Sequence, residues 1–199
     1  LIVIDKPGSV QTEIRAGHLA FERRHPDHLV MDQVIKILGG EGGNRLQQVL
    51  RTQKSLTYGA SADLDAYKLT GAVIAETDTR TEATVEAVRT VVDEFFRLQR
   101  ERVYEGELEG AQDFLAGSFP LSIESPDAIA TRVLNQLFYE LPLEDLPAYP
   151  ERVRSVTVDD VQRVAKAWLK PGALSVVLVG DADRFIKDLA GAGFSNIER

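Results

Sequence analysis

Short apolar runs predict β-strands near both ends of the chain. The first run covers residues 1–5, and a second run, in which apolar and polar positions alternate, covers residues 9–19. Residues 56–63 and 68–76 form two further runs that predict an antiparallel hairpin. Residues 173–179 are almost continuously apolar, which predicts a central strand buried on both faces.

Between these strands, apolar residues recur at helical spacing. Thr79 and Glu82 have the spacing of a capping box, which predicts the start of the longest helix. Ser125 and Thr157 are the predicted caps of two later helices. Residues 141–150 contain three prolines and predict a surface connector with at most one turn of helix. The other predicted helices cover residues 27–38, 44–53, 104–119 and 183–190.

Strands at both ends of a chain with helices clustered between them are typical of an α+β fold. The pattern predicts a two-layer sandwich, in which helices pack on one face of a mostly antiparallel sheet. A length of 199 residues is sufficient for a sizeable core, and we expect residues 1–199 to form a single domain.

Charge and composition narrow the range of functions. The formal net charge is −8 and the isoelectric point is near 5.0, which argues against nucleic acid as a main partner. No apolar run approaches the roughly 20 residues that a membrane span needs. The absence of cysteine excludes disulfides and thiol catalysis but leaves the compartment open, so that periplasm and cytoplasm both fit. The abrupt apolar start suggests an internal fragment of a longer polypeptide.

Residues 38–59 form the most distinctive stretch of the sequence. Four of the five residues 39–43 are glycine, which permits left-handed or crowded backbone, and Asn44 can cap the helix that follows. Arg51 lies on the last turn of this helix and Tyr58 follows seven positions later, so both polar tips can face one cleft. Spacing alone favours a structural interpretation, in which Arg51 caps the helix and Tyr58 packs half-buried.

Other candidate chemistry is weaker. His25 and His28 are three positions apart, whereas a helical zinc pair needs four and further ligands, so we interpret them as a solvated helix start. The acidic residues of segment 101–109 are interpreted as a solvated face rather than a paired-acid site. The sequence has no GxSxG motif, no Walker loop and no dinucleotide-binding fingerprint. Motifs alone therefore indicate no catalytic centre.

Four segments together resemble the C-terminal half-domain of the insulinase, pitrilysin and mitochondrial-processing-peptidase family of zinc metallopeptidases. They are residues 1–18, 25–51, 55–62 and 156–181, and the resemblance extends over nearly the whole chain. In that family the other half carries an inverted zinc motif, HxxEH, which is absent here. The resemblance implies that this chain is the non-zinc half, that it binds no cofactor itself, and that zinc is held in the partner half.

The resemblance also gives Arg51 and Tyr58 a role, because both match the positions at which the family's non-zinc half contacts substrate and stabilises the tetrahedral intermediate. It implies a zinc-bearing partner, in the same polypeptide or as a separate subunit, and a peptide substrate. We expect this chain to be inactive alone and the isolated domain to self-associate. The alternatives are a proteolytically inactive structural protein, like the core subunits of respiratory complexes, and a peptide-binding module.

Overall fold

The computed structural model of the chain describes residues 1–40 and 43–199, so that two positions of the glycine-rich stretch lie outside it. Five strands in these residues form one sheet: β1 (Ile2–Asp5), β2 (Gln11–Ala20), β3 (Ala60–Ala66), β4 (Gly71–Arg80) and β5 (Ser175–Gly180). Their order in the sheet is β1-β5-β2-β4-β3. Strands β1 and β5 pair in parallel, and the other three pairings are antiparallel, which confirms the predicted mostly antiparallel sheet.

Helices supply the second layer. In the described residues, the α-helices are α1 (His28–Gly39), α2 (Thr84–Arg100), α3 (Glu105–Ser118), α4 (Pro126–Phe138), α5 (Asp145–Arg154), α6 (Val158–Trp168) and α7 (Ile186–Gly191). A π-helical segment covers Gln47–Gln53. The caps predicted at Ser125 and Thr157 are confirmed, because each side-chain oxygen accepts a hydrogen bond from the backbone N–H three residues later, at 3.2 Å. No helix in residues 1–40 and 43–199 is long and apolar enough to cross a membrane.

The two faces of the sheet have different environments, because successive side chains along a strand point to opposite sides. On β2, Ile14 and Ala16 are buried beneath the helices, whereas Glu13 and Arg15 are exposed on the other face. Ile4 on β1 is 51% exposed on that open face. The predicted two-layer α+β sandwich, with helices on one face of the sheet, is therefore confirmed.

The predicted position of strand β5 is confirmed, but its predicted burial is wrong. Val176 and Leu178 are buried, whereas Val177 and Val179 lie on the open face and are only partly covered. The continuous apolar run thus does not require two buried faces, since helices cover one side only. Its neighbours are β1 at the edge and β2 at the centre of the sheet.

The hairpin lies three to four residues later than predicted. Strand β3 begins at Ala60, because Leu56 is buried in the preceding loop and its carbonyl accepts a hydrogen bond from Thr79 Oγ1 at 2.7 Å. The turn covers residues 67–70 and is closed by a bond of 2.8 Å from the Tyr67 N–H to the Thr70 carbonyl. The predicted capping box is also wrong, because Thr79 belongs to β4 and α2 begins only at Thr84.

The connector predicted for residues 141–150 is partly helical. Helix α5 occupies Asp145–Arg154 and contains Pro150. Pro147 lies in the first turn, where a missing N–H has no helical partner in any case. Gln33 and Gln112 both donate side-chain hydrogen bonds to the carbonyl of Val153, at 3.1 and 3.2 Å. These buried amides satisfy the end of α5 and stabilise a helix that three prolines obscure in the sequence.

Candidate functional site

The π-helical segment that carries Arg51 begins where the sequence predicted a helix. Asn44 Oδ1 accepts a hydrogen bond of 2.8 Å from the Gln47 N–H, which confirms Asn44 as a cap. Leu46 and Leu50 are fully buried, so this segment has one face fixed in the core. Arg51 is exposed on the opposite side. Apolar spacing did not predict the wider π-turns of this segment.

An ion pair fixes the start of this segment, and the sequence interpretation missed it. The guanidinium of Arg45 donates two hydrogen bonds to the carboxylate of Glu107 on α3, at 2.7 and 3.0 Å. Burial favours a raised pKa for Glu107, but the hydrogen bonds from Arg45 and from the Tyr104 N–H outweigh it, so the pKa is lowered. Arg45 is only 7% exposed. A buried arginine in a polar sequence context gives no periodic signal, which explains why it was missed.

The loop that carries Tyr58 is held against β4 by side-chain hydroxyl groups. The chain reverses at Ser55, which has a φ of +53°, and the Leu56 N–H donates to the Leu50 carbonyl at 2.7 Å. Thr79 Oγ1 donates to the Leu56 carbonyl as described above, and Thr77 Oγ1 donates to the Gly59 carbonyl at 2.9 Å. The backbone is therefore anchored on both sides of Tyr58.

This anchoring directs Tyr58 outward. Leu56 and Ala60, two positions before and after it, are both buried, whereas Tyr58 is 86% exposed. The half-buried packing that spacing alone favoured is therefore wrong. Among the described residues, no hydrogen bond or ion pair reaches the side chain of Arg51 or Tyr58, so their N–H and O–H donors face solvent. The two residues lie on either side of the reversal at Ser55.

A shallow groove lies beside this loop on the open face of the sheet. It has a volume of about 460 Å³, and its walls include Gln47 of the π-helical segment, Gly59, and side chains of β2 and β4. Arg15 and Glu76 form an ion pair of 3.3 Å across its floor. Glu13 and Asp78 also line it, so the groove is mainly acidic. The sequence did not predict this groove, because its lining residues come from four separate segments.

At the predicted helix start, His25 packs against aromatic side chains. The ring of His25 stacks on Phe21 with centroids 4.1 Å apart, and its edge meets Trp168. Asp27 accepts hydrogen bonds from Trp168 Nε1 at 3.1 Å and from Arg163 at 2.8 Å. Residues 1–40 and 43–199 contain no cluster of three or more histidine, cysteine, aspartate or glutamate residues that could hold a metal ion. The described side chains therefore do not fit a zinc site.

Comparisons with known proteins identify relatives of this chain by sequence and by fold. A family model described as "Peptidase M16 inactive domain" matches residues 1–115. A crystal structure of a peptidase M16 inactive domain from Pseudomonas fluorescens is 29% identical, with a TM-score of 0.84 over 90% of this chain and 43% of that one. An inactive peptidase domain from Bordetella parapertussis has the same fold, at 18% identity, with a TM-score of 0.73 over 87% of this chain and 94% of that one.

The name of one further relative refers to its activity. The protein named "Non-peptidase homolog YmxG" from Helicobacter pylori is 25% identical over 149 residues. The match covers 73% of this chain and 34% of YmxG. The chain thus spans less than half the length of YmxG and of the Pseudomonas fluorescens protein.

Proposed function

The chain belongs to the peptidase M16 inactive-domain family, and from this premise we propose that it acts as the non-zinc half of a two-part peptidase chamber. The partner is a half-domain that bears HxxEH and zinc, either in the same polypeptide or as a separate subunit. The absence of HxxEH from the sequence, and of a metal-binding cluster from the described residues, supports this assignment. The chain alone is then inactive, and all metal chemistry belongs to the partner.

In this proposal, Arg51 and Tyr58 contact the substrate across the chamber. The observation that carries the proposal is that Tyr58 is 86% exposed although the backbone around it is held rigidly. Tyr58 donates its phenol hydrogen, and Arg51 donates from its planar fork of N–H groups, to a peptide carbonyl or carboxylate. Donors that are positioned before the substrate arrives are the kind of group that stabilises developing negative charge. The acidic groove beside Tyr58 offers a surface for the adjoining part of a peptide or unfolded polypeptide.

A second candidate function is a proteolytically inactive structural or peptide-binding protein. The name of the YmxG relative, a non-peptidase homologue, favours this candidate. Both candidates predict that the chain alone has no activity, so that the distinction depends on the assembled protein.

The test is therefore to reconstitute the chain with its zinc-bearing half and to measure cleavage of an unfolded polypeptide. Tyr58→Phe and Arg51→Ala are each expected to lower kcat by roughly 100-fold, a typical loss for one oxyanion donor, with a smaller change in KM. Tyr67→Phe is the matched control, because Tyr67 is also exposed but lies at the other end of β3.

The outcome separates the two candidates. An assembled protein that shows no cleavage, while it still binds an unfolded peptide or forms a stable complex, would establish the structural or peptide-binding alternative. Cleavage that is unchanged in both variants would leave the peptidase assignment intact and remove Arg51 and Tyr58 from the mechanism.

A further inference from the structure

A cavity separate from the Arg51–Tyr58 region lies among four helices. It has a volume of about 580 Å³ and is lined by side chains of α1, α3, α4 and α5, and by the segment before α1. None of its lining residues belongs to residues 43–59. Its volume falls within the range of about 300–1,000 Å³ that small-molecule sites occupy.

Three charged side chains line this cavity without a partner. Among the described residues, no hydrogen bond or ion pair reaches the side chain of Arg23, Asp32 or Arg132. Arg23 and Asp32 are half-buried, and their remaining surface faces the cavity. Most buried polar groups in proteins have a hydrogen-bond partner, so the unpartnered Arg23 and Asp32 on one cavity wall indicate a place for a polar ligand. Arg132 is exposed and lies at the same cavity.

Other charged groups on the wall are already neutralised. Arg24 forms an ion pair with Glu140, and Arg152 forms one with Asp145. Lys36, which also lines the cavity, pairs more weakly with Asp63, at 3.9 Å. The charged groups of the wall without an ion pair among the described residues are therefore two guanidinium groups and one carboxylate.

The pKa shifts of the groups around the cavity agree with a place for a charged ligand. Burial lowers the pKa of Arg23, with Arg132 lowering it further and Asp32 acting in the opposite direction. Burial also raises the pKa of Asp32, although Lys36 and Arg23 lower it in part. The two guanidinium groups thus repel one another and would be stabilised by an anion between them. Burial and Asp32 raise the pKa of Tyr149 to about 12, so its phenol stays neutral as a donor.

One part of the cavity wall is apolar. The ring of Phe119 lies 4.9 Å from that of Tyr149, and Leu115 beside them is only 8% exposed. An apolar group of a ligand can therefore be buried next to the charged groups, which is the usual combination in small-molecule sites.

We propose that this cavity binds a small zwitterion with an apolar side chain, such as a free amino acid. Arg23 and Arg132 bind its carboxylate, Asp32 binds its ammonium group, and its side chain packs against Phe119 and Leu115. A simple anion such as phosphate satisfies the arginines but leaves Asp32 unpaired and repelled. A simple cation satisfies Asp32 but leaves both arginines unpaired. Only a ligand with both charges pairs all three groups.

Calorimetric titration of the full protein with four probes tests the proposal. L-leucine carries both charges, N-acetyl-L-leucine only the carboxylate, L-leucinamide only the ammonium group, and phosphate is an anion without an apolar body. L-leucine is expected to bind one to one with a Kd of about 1 mM or tighter, and each other probe at least roughly tenfold more weakly. Failure of L-leucine to bind at about 10 mM, or equal binding of any other probe, would overturn the proposal.

Variants identify the residues involved. Arg132→Gln, on the exposed surface of α4, is expected to weaken L-leucine binding by roughly tenfold or more. Asp32→Asn removes a carboxylate whose burial is unfavourable, so the protein should fold and lose its preference for L-leucine over N-acetyl-L-leucine. Arg80→Gln is the control, because Arg80 is exposed and does not line the cavity. Unchanged affinity and unchanged preference in the first two variants would overturn the proposal.

Discussion

Replacing one or the other member of the buried Arg45–Glu107 ion pair should lower the stability of the protein by unequal amounts. Glu107→Leu leaves a guanidinium that is only 7% exposed and whose Nη1 atom already lacks a hydrogen bond. Arg45→Met leaves a carboxylate whose side chain is 27% exposed, so water can solvate it. Breaking a buried pair costs about 3–5 kcal/mol, and we therefore expect about 3 kcal/mol for Glu107→Leu and less than half of that for Arg45→Met.

Thermal unfolding measures this difference. For a chain of 199 residues, 1 kcal/mol corresponds to about 2–4 °C in Tm, so Glu107→Leu should lower Tm by roughly 6–12 °C. The double variant Arg45→Met with Glu107→Leu should recover most of the loss, because no uncompensated charge remains. Arg102→Met is the matched control, because the Arg102–Asp159 pair is largely exposed and should contribute less than about 1 kcal/mol.

Two single variants of equal cost, or a Glu107→Leu variant no less stable than the Arg102→Met control, would contradict this expectation. Either result would mean that burial of the guanidinium does not determine the energy of this pair. The result also bears on the candidate site, because Arg45 stands at the start of the segment that carries Arg51.

The structure also predicts a pH dependence of stability, a cost of losing one hydroxyl group, and self-association of the isolated chain. Burial, with Arg23 and His25 nearby, lowers the pKa of His28 to about 3. In the unfolded chain this histidine binds a proton at its ordinary pKa of 6.5, so the unfolded state holds more protons between these two values. The free energy of unfolding should therefore fall as pH drops from about 6.5 towards 3, by up to about 1.4 kcal/mol per pH unit. Urea unfolding measures this slope, and it should shrink in His28→Gln. Thr79→Val leaves the Leu56 carbonyl unsatisfied and should cost about 1–3 kcal/mol and speed hydrogen exchange at Gly59, whereas Thr70→Val, in the exposed hairpin turn, should do neither. On helix α4, Leu134 is 64% exposed and Phe138 is 58% exposed. Light scattering of the isolated chain should therefore show self-association, and serine at both positions should reduce it. A monomer at high concentration would contradict this prediction.

The sequence predicted most elements of the fold because strands and helices have distinct apolar periods. It misplaced boundaries where local signals compete with tertiary contacts. Thr79 and Glu82 fit a capping box, yet pairing along the ten residues of β2 keeps Thr79 in a strand. Pro150 argued against a helix, yet the amides of Gln33 and Gln112 stabilise the end of α5 from two other helices. Neither contact has a signature within a local window of sequence.

The candidate site was predictable in part. Asn44 as a cap and the position of the following helix were confirmed, whereas the outward orientation of Tyr58 contradicted the structural interpretation that spacing favoured. The cavity among α1, α3, α4 and α5 gave no signal at all, because its charged residues Arg23, Asp32 and Arg132 are separated by up to about a hundred positions. Such sites depend on packing between helices, which periodicity does not encode.

The geometry of Tyr58 supports a role towards a partner molecule for a physical reason. An exposed tyrosine contributes little burial energy, so the fold gains little from the side chain of Tyr58 itself. Yet Thr77 and Thr79 direct their hydroxyl groups to carbonyls on both sides of it, and Leu56 and Ala60 are buried around it. These contacts restrict the position of a donor that has no partner among the described residues. Preorganisation of this kind lowers the cost of binding an acceptor on another molecule, which is what the chamber proposal requires.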